Sequence, residues 1–140
     1  MSLQLAYIAA LFDGEGSISR YQELRKDRKN PTWVIRCEMN MTDKEIIKWL
    51  HETLDFGSFH KKPPSAKQLG RQMQYRWCCS YRDALKFANL LLPYARVKRR
   101  KLQQIIKHYD KFSIRYPNDR HVRVHHIISR RGNNILNEAK

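Results

Sequence analysis

Asp13 and Glu15 stand two residues apart at the end of the stretch IAALFDGEG, residues 8–16. An apolar, alanine-rich segment of this kind suits a helix. Two acids are a poor ending for one, because the C-terminal end of the helix dipole is negative, and two glycines loosen the chain there. Ala6, Ala9 and Ala10 lie on adjoining rows of such a helix, where small residues let a second helix approach closely. That second helix is either a neighbour in the same chain or the same helix of another copy. If two copies pack about a two-fold axis, the carboxylates meet near it and repel each other, and a divalent cation reverses that sign. Glu15 with a backbone carbonyl offers hard oxygen ligands, which suit Mg²⁺. A nucleic-acid phosphate and waters would complete the shell, and glycines at 14 and 16 let backbone and nucleic acid come close.

The other chemistry-bearing residues are less organised. Cys37, Cys78 and Cys79 are an odd count with an adjacent pair, which makes a poor disulfide framework and reads as buried free thiols in a reducing compartment. His121, His125 and His126 cluster without a nearby acid or thiol, so zinc-ligand spacing is not met.

The positioning elements follow from length, charge and periodicity. A chain of 140 residues, 41% hydrophobic, with 12 Phe and Tyr and 3 Trp, suits one folded domain with its own core. Its longest apolar run, LAYIAALF, has eight residues, far below the ~18 of a membrane span, and it lacks a signal peptide's flanks; a soluble, intracellular protein is expected. The net charge of +15 is uneven: residues 1–56 hold eight Lys/Arg against nine Asp/Glu, residues 57–95 seven against one, and residues 96–131 twelve against two. Such a field attracts a polyanion such as nucleic acid.

Residues 3–13 suit a helix. The stretches 17–25 and 32–41 alternate as a strand hairpin, TWVIRCEMNM cleanly so. Thr42 and Glu45 have capping-box spacing before a helix bearing Ile46, Ile47, Leu50 and Leu54, stopped by Gly57. GSFHKK and RQMQYRWCC are two further strands around the loop PPSAKQLG. Ser80 and Asp83 form a second capping signal for a helix over 81–92, ended by Pro93. From Val97, the residues Leu102, Ile105, Ile106, Tyr109 and Phe112 keep helical spacing among Lys98, Arg99, Arg100, Lys101 and Lys107. The tail after Pro117 reads either as a short strand and helix or as a basic arm. The fold expected is α+β: an α-β-β-α-β-β-α core with a four-stranded antiparallel sheet, helices on one face, a polar basic surface on the other, and a basic C-terminal helix and tail.

The segment 8–16 resembles the LAGLIDADG motif of homing endonucleases, with Ala9, Leu11, Asp13 and Gly16 identical to it. The family's core has the same α-β-β-α-β-β-α order, so the resemblance covers residues 3 to about 112, a core domain at 1–112 followed by an extension at 113–140. One motif in a short chain resembles the homodimeric branch. The resemblance implies that Glu15, the second acid, binds the metal, Mg²⁺ or Mn²⁺, with the Gly14 carbonyl. Asp13 would support the helix end and dimer interface with Ala6, Ala9 and Ala10. LLPYARVKRRK is similar to the family's segment carrying a basic residue beside the active site, here Lys98; anchoring of a phosphate without catalysis is the alternative. The water-organising position after the second strand falls on Asp43, where the family often has Gln; a helix cap is the alternative.

Strand alternation, with Ile18 set inward, turns Ser19, Tyr21, Glu23 and Arg25 toward DNA, along with Arg36, Glu38 and Asn40, Ser58, His60 and Lys62, and Gln72, Gln74, Arg76 and Cys78. Arg99 and Arg100 add phosphate contacts. The function expected is a site-specific homing endonuclease. It would make metal-dependent double-strand breaks in a long, roughly palindromic target as a homodimer, in a microbial or phage-infected cytoplasm or an organelle. An intron RNA maturase or a non-cleaving DNA binder on the same fold is the alternative.

Overall fold

A computed structural model describes residues 2–68 and 70–115, the last four of them by backbone alone. The elements run α1 (Leu3–Glu15), β1 (Gly16–Glu23), β2 (Thr32–Met41), α2 (Lys44–Leu54), β3 (Ser58–Lys62), a single 3₁₀ turn at Ala66–Gln68, β4 (Gln74–Ser80), α3 (Arg82–Leu91) and α4 (Arg99–Arg115). This is the expected α+β order with the additional basic helix. The tail beyond residue 115, with its histidine cluster, lies outside the described residues. The described residues fall into two compact units, one from residues 2–14 and 81–115, the other Glu15–Ser80.

The second unit is the sheet with α2. All strand pairs are antiparallel, in the order β1-β2-β4-β3. β2 forms over its full predicted length, and its burial alternates at the centre, where Ile35, Cys37 and Met39 are buried, as are Trp77 and Cys79 on β4. Met39 pairs with Trp77 and Cys37 with Cys79, so one apolar face crosses the two central strands. Helix α2 packs on the sheet through β2, β3 and β4, and Ile47, Leu50 and Leu54 are its buried residues. Its cap differs from expectation by one position. Asp43, not Thr42, is the N-cap, its Oδ1 accepting from the Ile46 amide at 3.1 Å. The helix ends at Asp55 in the left-handed region, and Gly57 follows with φ +80. A Cβ on Gly57 would stand 2.8 Å from the Cys78 carbonyl oxygen and the Trp77 ring. That ring donates through Nε1 to the Phe56 carbonyl at 3.1 Å, locking the turn to β4.

In the first unit, Ser2 caps α1: its Oγ accepts from the Leu5 amide, and its own amide donates to the Tyr94 hydroxyl at 3.1 Å. Leu5, Ile8, Ala9 and Phe12 are buried at i, i+3, i+4 and i+7 spacing, and Phe12 meets Phe87 of α3 edge to face at 4.9 Å. The expected Ser80 cap does not form, because Ser80 belongs to β4. Tyr81 stands at the N-cap of α3 with φ 54, ψ −116 and no capping side chain. Leu102, Ile105 and Tyr109 of α4 are buried; the Phe112 side chain lies outside the described residues. The three cysteines are buried thiols, in no disulfide among the described residues. Among the described residues, no helix is long and apolar enough to cross a membrane.

Candidate nucleic-acid interface and acidic site

The last turn of α1 is tied to the segment leading into α4. The Asp13 carboxylate accepts from the Arg96 amide at 2.8 Å and the Lys98 amide at 3.0 Å. In return, Lys98 Nζ donates to the Asp13 carbonyl at 2.7 Å and lies 5.7 Å above the Phe12 ring. Each group relieves a helix end. The carboxylate sits at the amide-rich start of α4, and the ammonium takes one of the orphan carbonyls at the end of α1. Burial pushes the Asp13 carboxyl up, but the amides of Arg96, Lys98 and Val97 and the charge of Lys98 outweigh it, leaving the pKa below its ordinary value. The two acids of the motif are thereby distinguished: Asp13 is engaged within the chain, whereas Glu15, two residues on, is exposed.

Glu15 is the last residue of α1, and the Gly14 carbonyl is one of the final four of that helix, which have no intrahelical partner. Both are hard oxygen donors of the kind Mg²⁺ takes. Among the described residues, no three His, Cys, Asp or Glu side chains converge on a metal-sized space. Glu15 and the Gly14 carbonyl therefore make up, among the described residues, only part of a shell for such a cation. A Cβ on Gly14 would meet nothing within 4 Å, so the chain's own packing does not call for glycine there. Asp43 serves as the α2 cap described above.

The strand register brings most of the predicted DNA-facing residues onto one face. Ser19 pairs with Arg36, Asn40 with Arg76, Arg76 with His60, and Gln74 with Lys62. Tyr21 and Glu23 lie on the same side of β1, and Glu38 and Ser58 both pair with Cys78. Ser17, opposite Glu38, and Ser80, opposite Arg36, share this face. Sequence reading missed both: Ser17 fell inside the expected strand but was not assigned to this face, and β4 runs to Ser80 rather than Cys79. Three expected members depart. Cys78 has the right parity but is buried, its Sγ 3.4 Å from Ser58 Oγ. Arg25 lies beyond the end of β1, ion-paired with Glu23 at 3.1 Å, and Gln72 precedes β4. Arg99 and Arg100 are exposed in the first turn of α4, and Arg99 donates to the Leu92 carbonyl.

The alanines of α1 separate. Ala9 is fully buried within its own chain, Ala6 is half-buried and Ala10 exposed. Leu3 is 82% and Tyr7 50% exposed, so the uncovered apolar row is Leu3, Tyr7 and Ala10, continuing to Gly14. Ala9 belongs to the opposite, buried row, because it stands four residues after Leu5 and one after Ile8.

No family model matches the chain, and no curated protein does. Solved structures do. The homing endonuclease I-CvuI in complex with its target matches with a TM-score of 0.64 at 18% identity, over 95% of this chain and 80% of that one. In its complex with the I-CreI target the match spans 64% of that chain, less than two thirds of its length. The homing endonuclease I-TnaI matches over 100% of both chains, at TM-score 0.59 and 13% identity. The LAGLIDADG homing endonuclease I-GzeII, in complex with a DNA target, matches at TM-score 0.61 and 13% identity over 96% of this chain and 42% of that one.

Proposed function

This chain has the fold of the LAGLIDADG homing endonucleases, and we propose that it is itself a site-specific DNA endonuclease, acting as a homodimer on a long, roughly palindromic duplex. The observation that carries the reading is the end of α1, where Glu15 is exposed while the Asp13 carboxylate is engaged by the Arg96 and Lys98 amides; Lys98 Nζ in turn donates to the Asp13 carbonyl at 2.7 Å. The polar face of the sheet, with Arg36, Arg76, His60 and Lys62 in register, supports duplex binding, as does the charge of +15. The dimer reading rests on the row Leu3, Tyr7 and Ala10, which a second copy of α1 would cover. Two-fold symmetry then presents one acidic helix end to each strand.

Glu15 and the Gly14 carbonyl would hold a divalent cation, Mg²⁺ or Mn²⁺. When bound, that cation polarises the scissile phosphate and makes a water more acidic. Lys98 supplies a fixed positive charge where negative charge grows on the phosphate, and Asp13 positions it through its carbonyl and carboxylate together. Asp43 holds the start of α2; if it also orders a water, it does so while capping.

The test is cleavage of a plasmid pool carrying randomised, partly palindromic inserts, with Mg²⁺ present. The wild-type chain linearises a subset of the pool and sediments as a dimer. Glu15→Gln retains binding to the same inserts and cuts none of them. Cleavage by Glu15→Gln at the wild-type rate would remove Glu15 from the site.

A further inference from the structure

The polar sheet face carries an acid at its centre. Glu38 lies on β2, an inner strand, opposite Ser17 on one side and Cys78 on the other. Its carboxylate stands 4.0 Å from Arg36 Nη1 and 4.0 Å from Arg76 Nη1, and it accepts from Asn40 Nδ2 at 3.4 Å. Its side chain is 22% exposed. A face meant only to grip phosphates would place another base here, since a carboxylate repels the backbone of any duplex. Stability does not explain the residue either. Both ion pairs are at the limit of contact, and partly exposed pairs of that kind contribute little. The cluster also remains short of hydrogen bonds: Asn40 Oδ1 and Arg76 Nε are buried with no partner among the described residues, which a group selected for stability would avoid.

The chemistry of base edges gives the acid a use. In the major groove a carboxylate finds a favourable partner in an amino group, and its usual one is cytosine N4. Opposite N7, O6 or O4 it faces another acceptor. Small side chains flank Glu38 across both neighbouring strands, Ser17 and Cys78, so a base edge can approach it. Arg36 and Arg76 stand on either side with guanidiniums of the type that recognise guanine. Resting on the DNA-binding reading above, we infer that Glu38 is a specificity-determining residue. It weakens binding to duplexes in general and makes tight binding depend on a cytosine amino group at one position of each half-site.

The experiment compares wild type, Glu38→Gln and the control Glu52→Gln, whose charge lies on the exposed side of α2. Each is used to enrich duplexes from a randomised pool, and its affinity for random-sequence duplex is measured at two salt concentrations. Glu38→Gln should bind random duplex several-fold tighter than wild type or Glu52→Gln. Its selected pool should lose a cytosine preference of about ten- to a hundredfold at one position per half-site. Two outcomes overturn the inference while leaving DNA binding intact: an unchanged preference at every position, or a uniform weakening on all duplexes, which would make Glu38 a clamp on Arg36 and Arg76. If the wild-type chain enriches no duplex, the DNA-binding reading fails and takes this inference with it.

Discussion

Asp13 is more constrained than an acid at a helix end needs to be, and its constraints make it sensitive to acid. Its folded pKa is lowered from 3.8. A carboxylate depressed on folding contributes stability that is present above the unfolded pKa and lost as pH falls through the folded one. Urea titrations should therefore show constant stability from neutral pH to about 5 and a decline below about 4. Asp13→Asn retains one acceptor but loses the charge; it should cost about 1 kcal/mol at pH 7 and flatten the acid limb. A limb equally steep in the variant would place the sensitive group elsewhere. The same residue separates structure from chemistry at Lys98. Lys98→Met removes the ammonium and keeps the backbone amide that Asp13 uses, so folding should survive while cleavage falls about a hundredfold. Asp43 invites a similar comparison: Asp43→Asn can still cap α2, and unchanged cleavage by that variant would assign Asp43 to capping alone.

At the level of elements, the turn from α2 into β3 makes two substitutions of opposite sign testable. Asp55 ends α2 with φ 58, and Gly57 follows with φ +80. An acid at the negative end of a helix, in a conformation that glycine adopts freely, is unfavourable on both counts, so Asp55→Gly should stabilise the chain by roughly 1 kcal/mol. Gly57→Ala meets both a positive φ and three contacts at 2.8 Å, one of them backbone, and should cost about 2–4 kcal/mol in a thermal or urea melt. This turn also marks how far the sequence was legible. Alternation in TWVIRCEMNM and the 3.6-residue pattern of α2 fixed the elements and the parity of the sheet faces, because both arise from residues adjacent in the chain. The capping residues were each displaced by one, since Thr42, Asp43, Ser80 and Tyr81 are decided by backbone angles that composition does not encode. The clasp between Asp13 and Lys98 joins residues 85 apart; nothing local in the sequence pairs them, and the resemblance gave each a separate role without linking them.

For the whole molecule, the two rows of α1 make competing demands that the described residues do not both meet. A helix apolar on all sides is buried on all sides, yet Leu3 and Ala10 are exposed and Tyr7 half-exposed while Leu5, Ile8, Ala9 and Phe12 are buried. In the proposed homodimer a second copy offers the same row in return, and its approach brings two like-charged chains together, so association should strengthen with salt while DNA binding weakens with it. Two adjacent alanines separate self-association from folding. Ala10→Glu places a charge on the uncovered row. It should leave the melting temperature of the dilute chain nearly unchanged, convert the sedimenting species to a monomer and abolish double-strand cleavage. Ala9→Glu buries an unpaired carboxylate in the chain's own core and should unfold it. If Ala10→Glu still sediments as the same species as wild type, the dimer does not form through α1, and each acidic helix end would then have to act without a symmetric partner.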